Sequence, residues 1–394
     1  MSNKIWNKVK LGEIAEIIDS LHQTPTYSVV GYPMVRVTDI NGGYLNLNNT
    51  FKVSKDVYEL FSKKHKTKKG DLVMSRVGTY GIVSYINSNQ EFCLGQNTLF
   101  IIPKQNSKYL YYFLSSPIAK IQIESFATGS TQKTISLRSI KEIVLSLPDL
   151  PTQTRIASIL SAIDDKIELN RQMNQTLEQM AKALFKKYFV DDVDAENLPE
   201  GWRMGKLGEI SRNIKTTIIP KDEINISNYI GLEHMPRNSW SLNDWSVDEQ
   251  PQSQKFQFKE YDILFGKLRP YFHKVVISPI NGICSTDILV LNPSSSKYLS
   301  YCLMHYSSKE IIEYSNQHSA GTRMPRVSWQ SLKEFEIMIP DDKTIIEFEK
   351  ITFPILKSII QRIHENKTLT QLRDILLPKL MSGEVNVEQI TAVA

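Results

Sequence analysis

The chain has 394 residues, of which 41% are hydrophobic and 23% charged; that balance belongs to a folded globular protein and excludes disordered, collagen-like and membrane-bundle classes. Its length exceeds one ordinary core and predicts two domains of about 150 residues plus connecting elements. The formal net charge of +5 permits a nucleic-acid partner without demanding one, and the widely spaced Cys93, Cys284 and Cys302 provide neither a metal spacing nor a disulfide framework.

The first ten residues lack an apolar signal core, and no run approaches the roughly 18 apolar residues needed to cross a bilayer. A reducing cytoplasm is therefore the predicted compartment. Trp6 opens the string Trp-Asn-Lys-Val-Lys-Leu-Gly-Glu-Ile, which returns from Trp202 as Trp-Arg-Met-Gly-Lys-Leu-Gly-Glu-Ile. Between them, short apolar runs predict strands near 33–37, 71–74, 81–85 and 98–102, then a helix over 107–124. Such self-similarity fixes architecture before any motif does.

The repeat continues in order. Ser107-Lys-Tyr-Leu returns from Ser296, Ala127-Thr-Gly-Ser-Thr is answered by Ser319-Ala-Gly-Thr-Arg, and Leu145-Ser-Leu-Pro by Ile337-Met-Ile-Pro. In the second half, strands are predicted near 228–232, 262–265, 274–278 and 286–291, with a helix over 297–314.

After Pro148 and Pro340, apolar residues recur at spacings of four and three, the pattern of a long helix with one seam. The first seam holds Ile156, Leu160, Ile163, Ile167, Leu177 and Leu184, interrupted by Asn170 and Asn174. The second holds Ile355, Ile359, Asn366, Leu369 and Leu372. Each helix is predicted to be about 50 Å long, and the simplest pairing is antiparallel, with the seam asparagines setting register. A kink is predicted at Pro354 and an end at Pro378. The acidic segment 191–201 reads as a linker. The resulting divisions are a domain over 1–147, a helix over 148–190, a second domain over 202–340, a second helix over 341–382 and a tail over 383–394.

Catalytic constellations are missing: there is no phosphate loop, no His-Glu-x-x-His, no Gly-x-Ser-x-Gly and no dinucleotide fingerprint. Asn292-Pro-Ser-Ser lacks the second proline and the aromatic of an amino-methyltransferase motif. Pro340-Asp-Asp-Lys reads as a helix cap. His234, His273, His305 and His318 have no metal-ligand spacing, so no metal is expected.

Features that suit DNA are plentiful. Lys63, Lys64 and Lys66 precede the strand at Gly70; by default such a run is a solvated loop, and it neutralises phosphate only if a duplex lies against it. Arg76, Gly78, Thr79 and Tyr80 form a turn in which an arginine suits guanine, and Gln96 and Asn97 are further candidates for DNA contact. The turn's second-half counterpart contains Lys267, Arg269, Tyr271 and Lys274. Thr128, Gly129, Ser130 and Lys133 in the first half, and Thr322, Arg323 and Arg326 in the second, each precede a short predicted helix near Ser136 or Ser328, and a helix N-terminus presents free N–H groups to phosphate. Capping and turn formation alone is the blander reading of these segments.

The order domain, helix, domain, helix, with both domains opening on Trp-x-x-x-Lys-Leu-Gly-Glu-Ile, resembles the DNA-specificity subunit of type I restriction-modification enzymes over nearly the whole chain. Gln153-Thr-Arg-Ile-Ala-Ser-Ile-Leu-Ser-Ala-Ile-Asp-Asp-Lys-Ile-Glu and Leu372-Arg-Asp-Ile-Leu-Leu-Pro-Lys-Leu-Met-Ser-Gly-Glu-Val are similar to that family's helical regions. The resemblance implies an α+β fold of two target-recognition domains joined by an antiparallel coiled coil with a pseudo-twofold repeat. It also implies a non-catalytic role, reading a bipartite sequence in double-stranded DNA for two methyltransferase subunits, and a restriction subunit where one is present. S-adenosylmethionine would be carried by the methyltransferase, which methylates adenine N6, and this chain would hold no cofactor. The competing reading is an interaction scaffold with duplicated domains.

Overall fold

Each copy of Lys-Leu-Gly-Glu-Ile buries its leucine and isoleucine while the flanking lysine stays in water, and this small amphipathic turn sets the start of both halves in the same way. In the computed structural model, which describes residues 6–129, 132–191, 193–194, 197–219, 227–248 and 252–387, Leu11 and Ile14, and likewise Leu207 and Ile210, are buried. The strand before each turn pairs antiparallel with the strand that closes the half: Asn7–Lys10 with Val144–Leu147, and Arg203–Lys206 with Glu336–Ile339.

The chain divides into two compact units, residues 1–165 with 370–394, and residues 166–369. In the first, Ala15–Asp19, Thr98–Pro103, Leu72–Ser75 and Val83–Tyr85 form a four-stranded antiparallel sheet in that order. In the second, Ser211–Ile214, Ile288–Pro293, Ile263–Gly266 and Val275–Ile277 reproduce the order. Side chains alternate faces along a strand. Leu72, Met74, Leu99 and Ile101 therefore enter one core with Tyr109 and Leu110, while Val73 and Phe100 enter another with Val35, Phe92 and Leu94. Ile263, Phe265, Leu289 and Leu291 and Leu264, Val276 and Val290 repeat this division in the second unit. The α+β reading, the duplication and the positions of the main strands hold.

Each predicted mid-domain helix is two helices. Ser107–Ser115 gives way to Pro117–Phe126, where the Ser116 side chain accepts from Ala119 N–H and proline occupies the first helical position; Leu299–Tyr306 gives way to Lys309–Gln317, capped by Ser308. A serine N-cap restarts the helix in both cases. The short helices near Ser136 and Ser328 are present, each capped by that serine.

The long helices run Leu150–Phe189 and Asp342–Ser382, about 60 Å each at 1.5 Å per residue. Asp341 caps the second, accepting from the backbone N–H of Lys343 and Thr344. Within the second unit the helical segments are antiparallel. Asn174 donates to the Ile359 carbonyl and Asn366 to the Ile167 carbonyl, both at 3.3 Å, a reciprocal pair related by the same repeat. Asn170 donates to Asn366 Oδ1 at 2.9 Å. Ile167 and Ile359 are buried beside them; Leu177, Leu184 and Ile355 are partly buried in the second unit's core, and Leu369 is half-buried. In the first unit Ile156, Leu160 and Ile163 are buried, and Arg373 meets Asp164 at 3.0 Å.

Two expectations for the second helix fail. It does not end at Pro378 but continues to Ser382, because Leu377, Leu380 and Met381 are packed into the first unit's core on both sides of the proline. Leu372 lies outside the buried seam at 44% exposure; beyond Asn366 the inward positions belong to Arg373, which meets Asp164, and to Leu377 and Leu380, which pack in the first unit's core. Of the tail, Val385 and Val387 pack against the first unit's core.

Candidate nucleic-acid interface

The residues singled out at 76–80 and at 128–133 are 48 to 57 positions apart, and the fold joins them. Ile135 N–H donates to the Arg76 carbonyl at 3.1 Å, Gly78 N–H to the Lys133 carbonyl at 3.2 Å, and Arg76 N–H to the Asn97 carbonyl at 2.8 Å. Three segments thus meet at the end of the sheet. The second unit repeats all three bonds: Val327 N–H to the Lys267 carbonyl at 3.1 Å, Arg269 N–H to the Pro325 carbonyl at 2.7 Å, and Lys267 N–H to the Asp287 carbonyl at 3.0 Å. A small bridge, Thr128 with Thr134 and Ala320 with Arg326, closes the third segment in each unit.

Backbone conformation repeats as well. Gly78 has φ 73° and Gly81 φ 76°, and their counterparts Arg269 and His273 have φ 50° and 49°. The second half therefore lacks the glycines of the first but keeps the left-handed turn, built on residues that occupy this region at a steric cost.

The side chains diverge. Arg76 is turned inward: its Nη1 lies 2.6 Å from Asp19 Oδ1 and its Nε 3.2 Å from the Ile135 carbonyl. Tyr80 and Lys133 both bind the Glu124 carboxylate, which raises the Lys133 ammonium above its ordinary range through that hydrogen bond. Left at the surface of the first unit's face are Gly78, Thr79, Gln96, Thr128 and Gly129, with Asn97 half-buried at φ 64°; Ser130 lies outside the described residues. The lysine run sits beside this face, since Lys64 Nζ reaches the Asp19 carbonyl at 3.4 Å. Lys66 pairs with Glu59 at 3.2 Å, and Lys63 is exposed.

In the second unit Arg326 forms a two-point pair with Asp287 at 2.9 and 3.3 Å, which raises its pKa by the same hydrogen bonds. Lys274 is half-buried and donates to the Leu232 carbonyl at 2.5 Å, and burial lowers its pKa. Tyr271, Thr322 and Arg323 are exposed, and Lys267 is half-buried.

Sequence reasoning missed Lys215, which follows the strand Ser211–Ile214 where Asp19 ends the equivalent strand, and is exposed. Its signal was there to be found, because it stands five residues past the second Leu-Gly-Glu-Ile as Asp19 stands past the first. The acidic partners Asp19, Glu124 and Asp287 left no comparable trace. Among the described residues there is no group of three or more metal-ligating side chains and no helix long and apolar enough to cross a membrane.

Comparison with known proteins bears on this arrangement. The sequence profile of the family described as "Type I restriction modification DNA specificity domain" matches the chain twice, over residues 3–179 and 199–373. The chain is 26% identical to the Type I restriction enzyme MjaIX specificity subunit of Methanocaldococcus jannaschii, covering 98% of this chain and 95% of that protein. It is 24% identical to the Type I restriction enzyme HindI specificity subunit of Haemophilus influenzae, covering 96% and 99%. Among solved structures, the S subunit of a type I restriction-modification system from M. genitalium shares the fold, with a TM-score of 0.58 at 19% identity over 97% of each chain.

Proposed function

The chain belongs to the type I restriction modification DNA specificity domain family, and from that membership we propose that it reads a bipartite target in double-stranded DNA and positions two methyltransferase subunits, and a restriction subunit where one is present, for adenine-N6 methylation. The chain supplies register and sequence readout; S-adenosylmethionine and methyl transfer belong to the partner. The observation that carries this reading is the duplicated face. Two units of one chain present the same three-segment turn with matching backbone bonds and unlike side chains, the arrangement expected of two readers of two different half-sites. Residues 1–147 and 202–340 are the target-recognition domains in this reading, the long helices are the docking elements, and the cytoplasm is the compartment.

The test is a genome-wide map of N6-methyladenine in the host with the gene intact and deleted. Loss of one bipartite motif on deletion is the expected result. Replacing residues 202–340 by another such domain should change one half of the motif. Unchanged methylation on deletion, with the methyltransferase still expressed, would refute the reading and favour a scaffold.

A further inference from the structure

One position in the two turns differs in a way the shared backbone does not require. Gly78 and Arg269 make the same N–H bond to the neighbouring segment and share the left-handed conformation, where glycine is free of strain and a side chain is not. Arg269 carries a second unfavourable feature: its Nε is buried without a hydrogen-bond partner, although buried donors are nearly always paired. The unit thus keeps strain and an unmet donor on one residue, at a turn its own repeat builds with glycine.

The surroundings suit an anionic or acceptor-rich ligand. Lys267 lies two residues earlier, Arg323 is exposed, and Lys215 stands where the first unit has Asp19. Asp287 is occupied by Arg326. Nη2 of Arg269 lies 3.4 Å from the Arg323 carbonyl, which orients the guanidinium plane. Resting on the reading of the chain as a DNA-specificity subunit, we infer that Arg269 is a specificity-determining residue, whose terminal Nη1 and Nη2, rather than the buried Nε, donate to the O6 and N7 acceptors of a guanine in the half-site read by the second unit. A planar fork matches that pair of acceptors. The first unit, with glycine here and Arg76 bound to Asp19, reads its half-site at this turn without a guanidinium.

The test presents the full chain, assembled with its methyltransferase, with a pool of randomised duplexes and compares the sequences enriched by wild type, Arg269→Gly and Arg269→Asn. Glycine and asparagine both tolerate the left-handed backbone, so both variants should fold, and Arg269→Gly should melt no lower than wild type. The expected result is a loss of about tenfold or more in preference for guanine at one position of one half-site, with the other half-site unchanged. An enriched motif identical to that of wild type, or a uniform fall in affinity across all sequences, overturns the assignment of Arg269. A wild-type pool with no enriched sequence overturns the underlying reading of the chain as well.

Discussion

The turn at Arg76 and the turn at Lys267 share three backbone hydrogen bonds and little of their electrostatics. In the first unit each cation at the turn meets a carboxylate, Arg76 with Asp19 and Lys133 with Glu124, and the exposed lysines lie on the neighbouring run at 63–69. In the second unit that run is replaced by a strand in which Lys255 is buried; Lys267 and Arg269 lie on the turn, Arg323 on the segment bonded to it, and Lys215 follows the strand equivalent to the one that Asp19 ends. Duplication has kept the bonds that hold a face together and moved the charge. Backbone bonds are lost only at the cost of the fold, whereas surface charges are nearly free to change, so a repeat can diverge in what it reads while retaining how it is built.

The strongest way to break the comparison lies at Glu178 in the second unit. Its Oε1 accepts from Ser239 Oγ, Trp240 N–H and Ser241 Oγ at 2.8–3.1 Å and so ties the segment behind the basic turn to the first long helix. Its counterpart in the repeat is Thr370, with no such role. Glu178→Ala strands three donors in a buried place and should destabilise the second unit by about 3 kcal/mol or more, whereas Thr370→Ala should cost about 0.5 kcal/mol or less. Four of the five tryptophans, Trp202, Trp240, Trp245 and Trp329, lie in the second unit, so fluorescence-detected urea unfolding reads the difference. Equal losses from the two variants would remove this distinction.

A second asymmetry depends on pH. Burial pushes the Glu349 carboxyl up to about 7, against the opposing hydrogen bond from Ser300 N–H, while its repeat counterpart is Ala157. The folded pKa lies above the unfolded value near 4.3. The native state therefore binds the extra proton between these values, and stability falls as pH rises from about 4.3 to about 7, then levels. Glu349→Gln should stabilise the second unit by on the order of 1–3 kcal/mol at pH 8 and by nothing measurable at pH 4. A gain of the same size at both pH values would contradict the assignment.

Gly81 sharpens the comparison from the side of the first unit. A Cβ there would meet Ile123 Cγ2 at 2.6 Å, in a left-handed conformation. In the second unit the turn position is His273 and the helix position is Ser315, so the larger turn residue occurs with the smaller helix residue. Gly81→Ala should cost the first unit about 1–3 kcal/mol. In a double-mutant cycle with Ile123→Ala, part of that cost should disappear, with a coupling of at least about 0.5 kcal/mol; simple additivity would exclude a steric origin.

Legibility in the sequence followed separation along the chain. The repeat, the strand runs and the serine caps at Ser136 and Ser328 are local signals, and all of them were visible. The break at Ser116-Pro117 is local too, a cap followed by a proline, but the apolar continuity of Tyr112, Phe113, Ile118 and Ile121 masked it. The face itself could be inferred only as two separate clusters, because Gly78 and Lys133 are 55 residues apart and nothing in either segment names the other. Least legible was which cations are neutralised. Arg76 reads like a free base contact until Asp19, on another strand, is seen beside it.

The smallest expected difference lies within the reciprocal asparagine pair of the long helices. Asn174 and Asn366 donate to equivalent carbonyls at the same distance, so their amide nitrogens are interchangeable. Their oxygens are not. Asn366 Oδ1 receives the Asn170 amide, whereas the repeat counterpart of Asn170 is Arg362, whose guanidinium turns back to the Ser358 carbonyl of its own helix and leaves Asn174 Oδ1 buried without a partner. An unmet buried acceptor already costs the fold what a leucine at 174 would relieve, while a leucine at 366 would also discard a made bond. Asn174→Leu should therefore be more stable than Asn366→Leu by about 1 kcal/mol in urea unfolding of the second unit. Equal stabilities would mean that the repeat is symmetric here in energy despite the exchange of Asn170 for Arg362.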